Sequence, residues 1–162
     1  MKELDYIGIF SEFNKKRIRY IVCGGVAVNL LGIPRMTYDI DLLLKMTEVN
    51  LSKFLKLIKR WGFRPKIPVN IMDFACKEKR NLWIKEKHIK GFNIYNHKWS
   101  ISEIDVLINT PVNYEEAVKK VEYKSVKGVR IPVISVPQLI KMKQNTGRKQ
   151  DEADIRYLRG LK

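Results

Sequence analysis

The sequence is poor in the residues that build disulfide frameworks and zinc sites. Its two cysteines, Cys23 and Cys76, lie far apart and form no CxxC pair, and its two histidines, His88 and His97, are isolated. Neither pattern has the spacing of a zinc-ligand set. We therefore expect reduced cysteines, with Cys23 as a small core residue in an apolar strand, and histidines on the solvated surface.

Long apolar segments, flexible linkers and repeats are also missing. The apolar stretches, such as residues 42–44, are far shorter than the roughly 20 residues that span a bilayer. The first ten residues contain two acids and lack the apolar segment and small-residue cleavage site of a signal peptide. No Gly/Ser linker or low-complexity run divides the chain. These features predict a cytoplasmic protein with no membrane partner, folded as one domain over residues 1–162.

Negative charge is scarce. The chain has 17 Asp and Glu residues against 32 Lys and Arg residues, which gives a formal net charge of +15. The excess of basic residues is concentrated between residues 45 and 100. Such a field attracts polyanions, including nucleoside triphosphates and nucleic acids. A lysine-rich surface that serves solubility or heat resistance would have the same composition, so the charge favours an anionic partner without identifying it.

The hydrophobic pattern mixes amphipathic helices with short strands. Helices are predicted over residues 4–15, 26–31, 47–61, 69–87, 114–121, 135–145 and 150–158. Strands are predicted over residues 19–23, 38–45, 89–95, 101–108, 122–126 and 129–133, with the last two forming a hairpin. This order indicates an α+β or mixed α/β fold, in which helices flank a small mixed sheet. We expect the core over residues 18–133 and C-terminal helices over residues 135–160.

Three aspartates interrupt the predicted apolar strands. Asp39 and Asp41 are two residues apart, so both carboxylates point to one face of the strand. Asp105 lies between two apolar residues of another strand, where an acid is a poor strand former, and Glu103 is an alternative on the same face. Carboxylates held this close repel each other, and a bound Mg²⁺ or Mn²⁺ would remove the conflict. Acids on adjacent strands are typical of two-metal phosphoryl transfer, although edge strands also carry solvent-facing acids.

A diglycine turn, Gly24–Gly25, lies between a predicted strand and a predicted helix. Glycines let a backbone approach a phosphate closely, and the start of the helix offers unpaired N–H groups. A plain tight turn would use the same residues. The turn precedes the acidic strand by 14 residues, however, and this spacing favours a phosphate cradle beside a metal-binding platform.

Residues 24–27 (GGVA) and 32–41 (GIPRMTYDID) together resemble the first motif of the DNA polymerase β-type nucleotidyltransferase superfamily. They are more closely similar to the AbiEii-type abortive-infection toxins and related short nucleotidyltransferases. Residues 139–143 (LIKMK) and 147–155 (GRKQDEADI) are similar to the lysine helix and the Arg…Asp…Asp-Ile signature of that group. With the segment EIDVLI around Asp105, the resemblance spans residues 20–160 and implies a nucleotidyltransferase fold.

The resemblance implies a role for each matching residue. The catalytic and metal-binding residues would be Asp39, Asp41 and Asp105, with Mg²⁺ or Mn²⁺ as cofactor and a nucleoside triphosphate as substrate. The residues that bind or flank the nucleotide would be Gly24, Gly25, Arg35, Thr37, Lys143, Arg148, Asp151 and Asp154. Each has an ordinary alternative, since Lys143 suits a solvated helix and Asp151 and Asp154 suit the start of a helix.

The resulting hypothesis is an enzyme that moves a nucleoside monophosphate to a hydroxyl group of RNA, tRNA, a protein or a small molecule. A catalytically silent nucleotide- or nucleic-acid-binding module is one alternative, and a toxin–antitoxin component that requires an antitoxin partner is another. We expect an acceptor surface near Trp83 and Trp99, since exposed aromatic rings stack on bases. The basic residues assigned to the same surface are Lys77, Lys79, Arg80, Lys85 and Lys87.

Overall fold

The computed structural model describes residues 2–161. Its α-helices are α1 (Tyr6–Lys15), α2 (Gly24–Leu30), α3 (Glu48–Arg60), α4 (Lys77–Lys87), α5 (Tyr114–Ala117), α6 (Val136–Lys143) and α7 (Lys149–Arg159). Its strands are β1 (Tyr20–Cys23), β2 (Asp39–Leu44), β3 (Arg64–Pro65), β4 (Gly91–Tyr95), β5 (Glu103–Leu107), β6 (Glu122–Val126) and β7 (Val129–Val133). The strands form one sheet in the order β3-β4-β5-β2-β1-β7-β6. The predicted mixed sheet flanked by helices is confirmed.

Two parallel pairings make the sheet mixed. Strand β2 runs parallel to β5, and β1 runs parallel to β7, while the remaining neighbours are antiparallel. The predicted hairpin of β6 and β7 is confirmed at the predicted bounds. Strand β3, only two residues long, was not predicted, because a segment this short between prolines has no measurable periodicity.

One face of the sheet carries the core. A row of apolar side chains crosses five strands in register, formed by Val133, Val22, Leu42, Val106 and Phe92. All five side chains are buried. Aromatic rings from the covering helices close this face, including those of α1 and α3. Because strand side chains alternate, every second residue of these strands points to the opposite face, which carries polar residues such as Asp41 beside buried apolar ones such as Ile21 and Leu43.

Helix ends follow the expected capping chemistry. The side chains of Asp5, Thr47 and Asn113 accept hydrogen bonds from the first turns of α1, α3 and α5. The helix predicted over residues 69–87 is divided in two, a 3₁₀ helix Ile71–Ala75 followed by α4. The division falls at Cys76, whose extended backbone separates the two helices.

The predicted acceptor surface in the basic middle of the chain is wrong. Trp83 packs against Phe92, and Trp99 packs against Trp61, so both nominated indoles belong to the core. Arg80 is also buried and donates hydrogen bonds to backbone carbonyls. The large apolar area of the two indole rings favours burial, as it does for most large aromatic residues. The four lysines of the same group, Lys77, Lys79, Lys85 and Lys87, are exposed.

The sulfur and histidine expectations are confirmed. Cys23 is a free, buried residue of β1, and Cys76 is free as well. Both histidines are exposed. Between residues 2 and 161, none of the helices has the length and apolar character needed to cross a membrane.

Candidate active site

Three of the predicted site residues meet on the polar face of the sheet because β2 and β5 are parallel. The register places Asp41 opposite Asp105 and Asp39 opposite Glu103. Directly opposed residues on neighbouring strands have Cβ atoms about 4.5–5.5 Å apart and point the same way. Four carboxyl groups therefore form a two-by-two grid on one face.

Burial and nearby negative charge raise the pKa of each of the three aspartates. Burial, followed by the charges of Asp105 and Asp39, raises the pKa of Asp41 from 3.8 to about 6. Burial and Glu103 also raise the pKa of Asp39. For Asp105, burial raises the pKa although a hydrogen bond opposes the shift. The charged forms are thus unfavourable in the absence of a nearby cation.

Two side chains outside the predicted set contact this grid. Asn93 of β4 lies opposite Asp105 and donates a hydrogen bond of 2.6 Å from Nδ2 to Oδ1 of that aspartate. Lys66 forms an ion pair of 2.8 Å with Glu103. A polar residue at an alternating position of the apolar strand GFNIY was a usable signal for Asn93. Nothing local pointed to Lys66, which follows the unpredicted strand β3.

The two glycines lie against the acids and are the first residues of α2, which follows β1 directly, whereas the sequence predicted a turn before a helix that starts at residue 26. Gly24 has a φ angle of +60°, and a Cβ atom there would collide with the carboxylate of Asp41. A Cβ atom at Gly25 would lie 3.0 Å from Thr37 Oγ1 and 3.3 Å from an Arg35 guanidinium nitrogen. Gly24 therefore suits the left-handed backbone conformation, and Gly25 suits the close approach of neighbouring side chains.

A buried ion cluster joins the C-terminal helices to the loop before β2. The Lys143 ammonium lies 3.1 Å from Asp151 and 2.9 Å from Asp154. Arg35 donates a hydrogen bond of 2.6 Å to Asp154, and Arg148 pairs with Asp151 at 2.9 Å. Lys143, Asp151 and Asp154 are all buried, so none is a solvated helix residue.

Hydrogen bonding sets the charge state of one member of this cluster. Burial alone would raise the pKa of Asp151, but hydrogen bonds from Thr146 and Lys143 hold that pKa below its ordinary value. The cluster has three cations and two carboxylates, which leaves it net positive beside the acidic grid.

A cavity of about 650 Å³ contains most of the predicted site. Its walls include the three aspartates, both glycines and the cationic side chains, namely Asp39, Asp41, Asp105, Gly24, Gly25, Arg35, Thr37, Lys143, Arg148 and Asp151. Asp154 is not in the wall and contacts Arg35 and Lys143 from behind. Lining residues that were not predicted include Lys90, Asn109, Thr110 and Thr146, which lie in loops or at strand ends without a distinguishing sequence pattern.

The side chains of the acidic grid do not by themselves complete a metal-binding site. Among residues 2–161, no three His, Cys, Asp or Glu side chains have an arrangement that would hold a metal ion by themselves. This fits Mg²⁺ better than a structural metal, since proteins usually supply Mg²⁺ with one or two carboxylates while substrate phosphates and water complete its shell. The donor set, all carboxylate oxygen, suits Mg²⁺ or Mn²⁺.

Solved structures with this fold are nucleotidyltransferases. The lincosamide antibiotic adenylyltransferase LnuA, in its lincomycin-bound crystal structure, superposes with a TM-score of 0.64 at 15% identity over 100% of both chains. ANT(2″)-Ia, in complex with adenylyl-2″-tobramycin, gives 0.58 at 13% identity, over 93% of this chain and 83% of that one. A nucleotidyltransferase-like antigenic protein from Paracoccidioides brasiliensis gives 0.54 at 17% identity, over 96% and 72%.

The chain therefore has the nucleotidyltransferase fold. No protein-family model and no curated protein matches its sequence. At identities of 13–17% the structural likeness establishes the fold, and the roles of individual residues must be argued from their geometry.

The contact between Gly24 and Asp41 can be tested with a matched pair of glycines. Gly24→Ala introduces left-handed strain and a collision with Asp41, whereas Gly128→Ala introduces strain alone, because a Cβ atom there has nothing within 4 Å. We expect Gly24→Ala to lower the free energy of unfolding by about 2 kcal/mol more than Gly128→Ala does. Urea denaturation measures both, and equal losses would contradict the close contact.

The raised pKa of Asp41 predicts how stability depends on pH. The folded state holds the proton more tightly than the unfolded chain, so the free energy of unfolding falls as pH rises from about 4 to about 6. Asp41→Asn should raise that free energy by about 1–2 kcal/mol at pH 7.5 in metal-free buffer, with no gain at pH 4. Glu86→Gln, an exposed acid-to-amide change on α4, is the control. A gain that persists at pH 4 would contradict the assignment.

The buried position of Lys143 can be compared with Lys141, which is exposed on the same helix. Lys143→Met leaves two buried carboxylates without their shared ammonium and should cost about 3–5 kcal/mol of unfolding free energy. Lys141→Met should change it by less than about 0.5 kcal/mol. Chemical denaturation at pH 7 measures the loss of unfolding free energy in both variants. A similarly small loss in both would show that the cluster is not buried in solution.

Proposed function

We propose that this protein is a nucleotidyltransferase enzyme that moves a nucleoside monophosphate from a nucleoside triphosphate to a hydroxyl acceptor and releases pyrophosphate. The observation that carries the proposal is the pairing of Asp41 with Asp105 beside Gly24, at the wall of the large cavity. The nucleotidyltransferase fold of the chain supports the same reaction class.

The two sides of the cavity have opposite charge, which suggests how a triphosphate would lie. Its phosphates would approach the backbone of Gly24 and Gly25, which line the cavity. Lys143 and Arg148 would neutralise the phosphates from the C-terminal helices, and Arg35 would hold its place through Asp154. Because the ion cluster ties these helices to the loop before β2, we propose that residues 1–162 act as one domain.

The acids would supply the metal site. Asp39 and Asp41, with Asp105 across the strand pair, would hold Mg²⁺ or Mn²⁺ together with the phosphates of the bound nucleotide. When bound, the metal supplies charge stabilisation for the leaving pyrophosphate and lowers the pKa of the attacking hydroxyl. Asp105 is the best placed base for that hydroxyl, since the hydrogen bond from Asn93 orients its carboxylate and leaves the other oxygen free.

The acceptor is proposed by class only. The aminoglycoside and lincosamide named for the neighbours belong to those proteins, and they favour a small hydroxyl compound as one candidate here. RNA, tRNA or a protein hydroxyl are the candidates that the net charge of +15 and the AbiEii-like motifs favour. In each case the leaving group and the acids would be the same.

A partner-controlled form of this activity, as in a toxin–antitoxin pair, has one supporting observation. Met36 and Tyr38 are 79% and 60% exposed in the loop that leads into Asp39. Exposed apolar side chains at the rim of a cavity are typical of protein-binding positions. An antitoxin bound there would cover the entrance to the site.

The reaction can be tested with radiolabelled nucleoside triphosphates, Mg²⁺ and either total RNA, cell lysate or hydroxylated antibiotics. We expect labelled product and pyrophosphate, both lost on addition of EDTA. Asp41→Asn and Asp105→Asn should each reduce the rate roughly 100-fold or more, since the metal provides several kcal/mol of transition-state stabilisation.

Glu86→Gln is again the matched control and should retain full activity. Labelling that survives Asp41→Asn would contradict the proposed site. Nucleotide binding without pyrophosphate release from any acceptor would favour the silent binding module instead.

A further inference from the structure

A second cavity, of about 260 Å³, lies at the other end of β1. Its floor is a row across three strands, in which Ile21 neighbours Pro132 and Pro132 pairs with Tyr123. Ile21 is two residues before Cys23, so this floor belongs to the same sheet face as the acidic grid. The two cavities nevertheless share no lining residue among the described residues.

Two arginine side chains give the wall of the second cavity a positive charge. Arg19 and Arg130 line it, and within residues 2–161 neither forms an ion pair with a carboxylate. No acidic side chain is part of the described lining. Two guanidinium groups without partners at one opening favour an anion that can accept paired hydrogen bonds, such as a phosphate.

Aromatic rings lie beside these guanidinium groups. The Arg130 guanidinium is 3.7 Å from the ring centroid of Tyr123, which is still 51% exposed. Tyr114 of α5 lines the cavity as well. An exposed tyrosine with a cation stacked on it is a platform for a planar ring, and a nucleotide joins such a ring to a phosphate through its sugar.

We propose that the second cavity binds one nucleotide unit, with its base against Tyr123 and Tyr114 and its phosphate on Arg19 and Arg130. The cavity volume is slightly below the range that takes drug-sized ligands, so it accommodates a single nucleotide and not a longer segment. The occupant is either a free nucleotide or a nucleotide within a single strand. This site is separate from the proposed reaction centre and requires no metal.

Equilibrium dialysis in EDTA, with radiolabelled AMP in one arm and a 5′-phosphorylated oligoadenylate in the other, tests the site. Arg130→Gln, Arg19→Gln and Tyr123→Leu should each weaken binding about tenfold. The matched controls are Arg60→Gln and Tyr157→Leu, which make the same changes at exposed positions outside both cavities. Both controls should bind as the unchanged protein does, and thermal denaturation verifies that every variant is folded.

The arm in which the three substitutions weaken binding and the two controls do not shows whether the nucleotide is free or part of a strand. Binding in both arms that is insensitive to Arg19, Arg130 and Tyr123 would overturn the site. Equal displacement by inorganic phosphate and by AMP would overturn the role of the base. Failure of the transfer reaction would leave this result unaffected, because the assay contains no metal and no acceptor.

Discussion

The parallel register of β2 and β5 is the constraint on which the candidate active site depends. It opposes Asp41 to Asp105 and forces four carboxyl groups onto one sheet face. Burial of Asp41, together with the charges of Asp105 and Asp39, raises the pKa of Asp41 to about 6 and makes its charged form costly. A protein that needed only stability would gain by replacing these acids, so their retention in a cavity wall favours a binding function.

A second electrostatic arrangement complements the first. The C-terminal helices carry Lys143 and Arg148 to the opposite wall, and Asp151 and Asp154 hold Lys143 in place. The cavity thus has an acidic side that suits a divalent cation and a basic side that suits phosphates. Gly24, which cannot carry a side chain beside Asp41, lines the same cavity.

Much of this fold follows from local patterns in the sequence. Alternation predicted every strand of five or more residues that appears in the sheet, together with β1, and the aspartates at positions 39, 41 and 105 were identifiable because acids are unusual in apolar strands. What local patterns lack is strand order. The contacts of Asn93 and Lys66 depend on β4 lying next to β5 and on β3 lying next to β4, which is a property of the assembled sheet. The burial of Trp83 and Trp99 likewise depends on tertiary packing, which the basic residues near them in the sequence did not indicate.

The most direct test of the account is a crystal structure with a non-hydrolysable nucleoside triphosphate analogue and Mn²⁺, using anomalous scattering to locate the metal. We predict Mn²⁺ bound by Asp39 and Asp41, with phosphates in contact with the backbone of Gly24 and Gly25. Mn²⁺ bound elsewhere, or an analogue that binds away from the two glycines, would contradict the central claim that this carboxylate grid is a reaction centre.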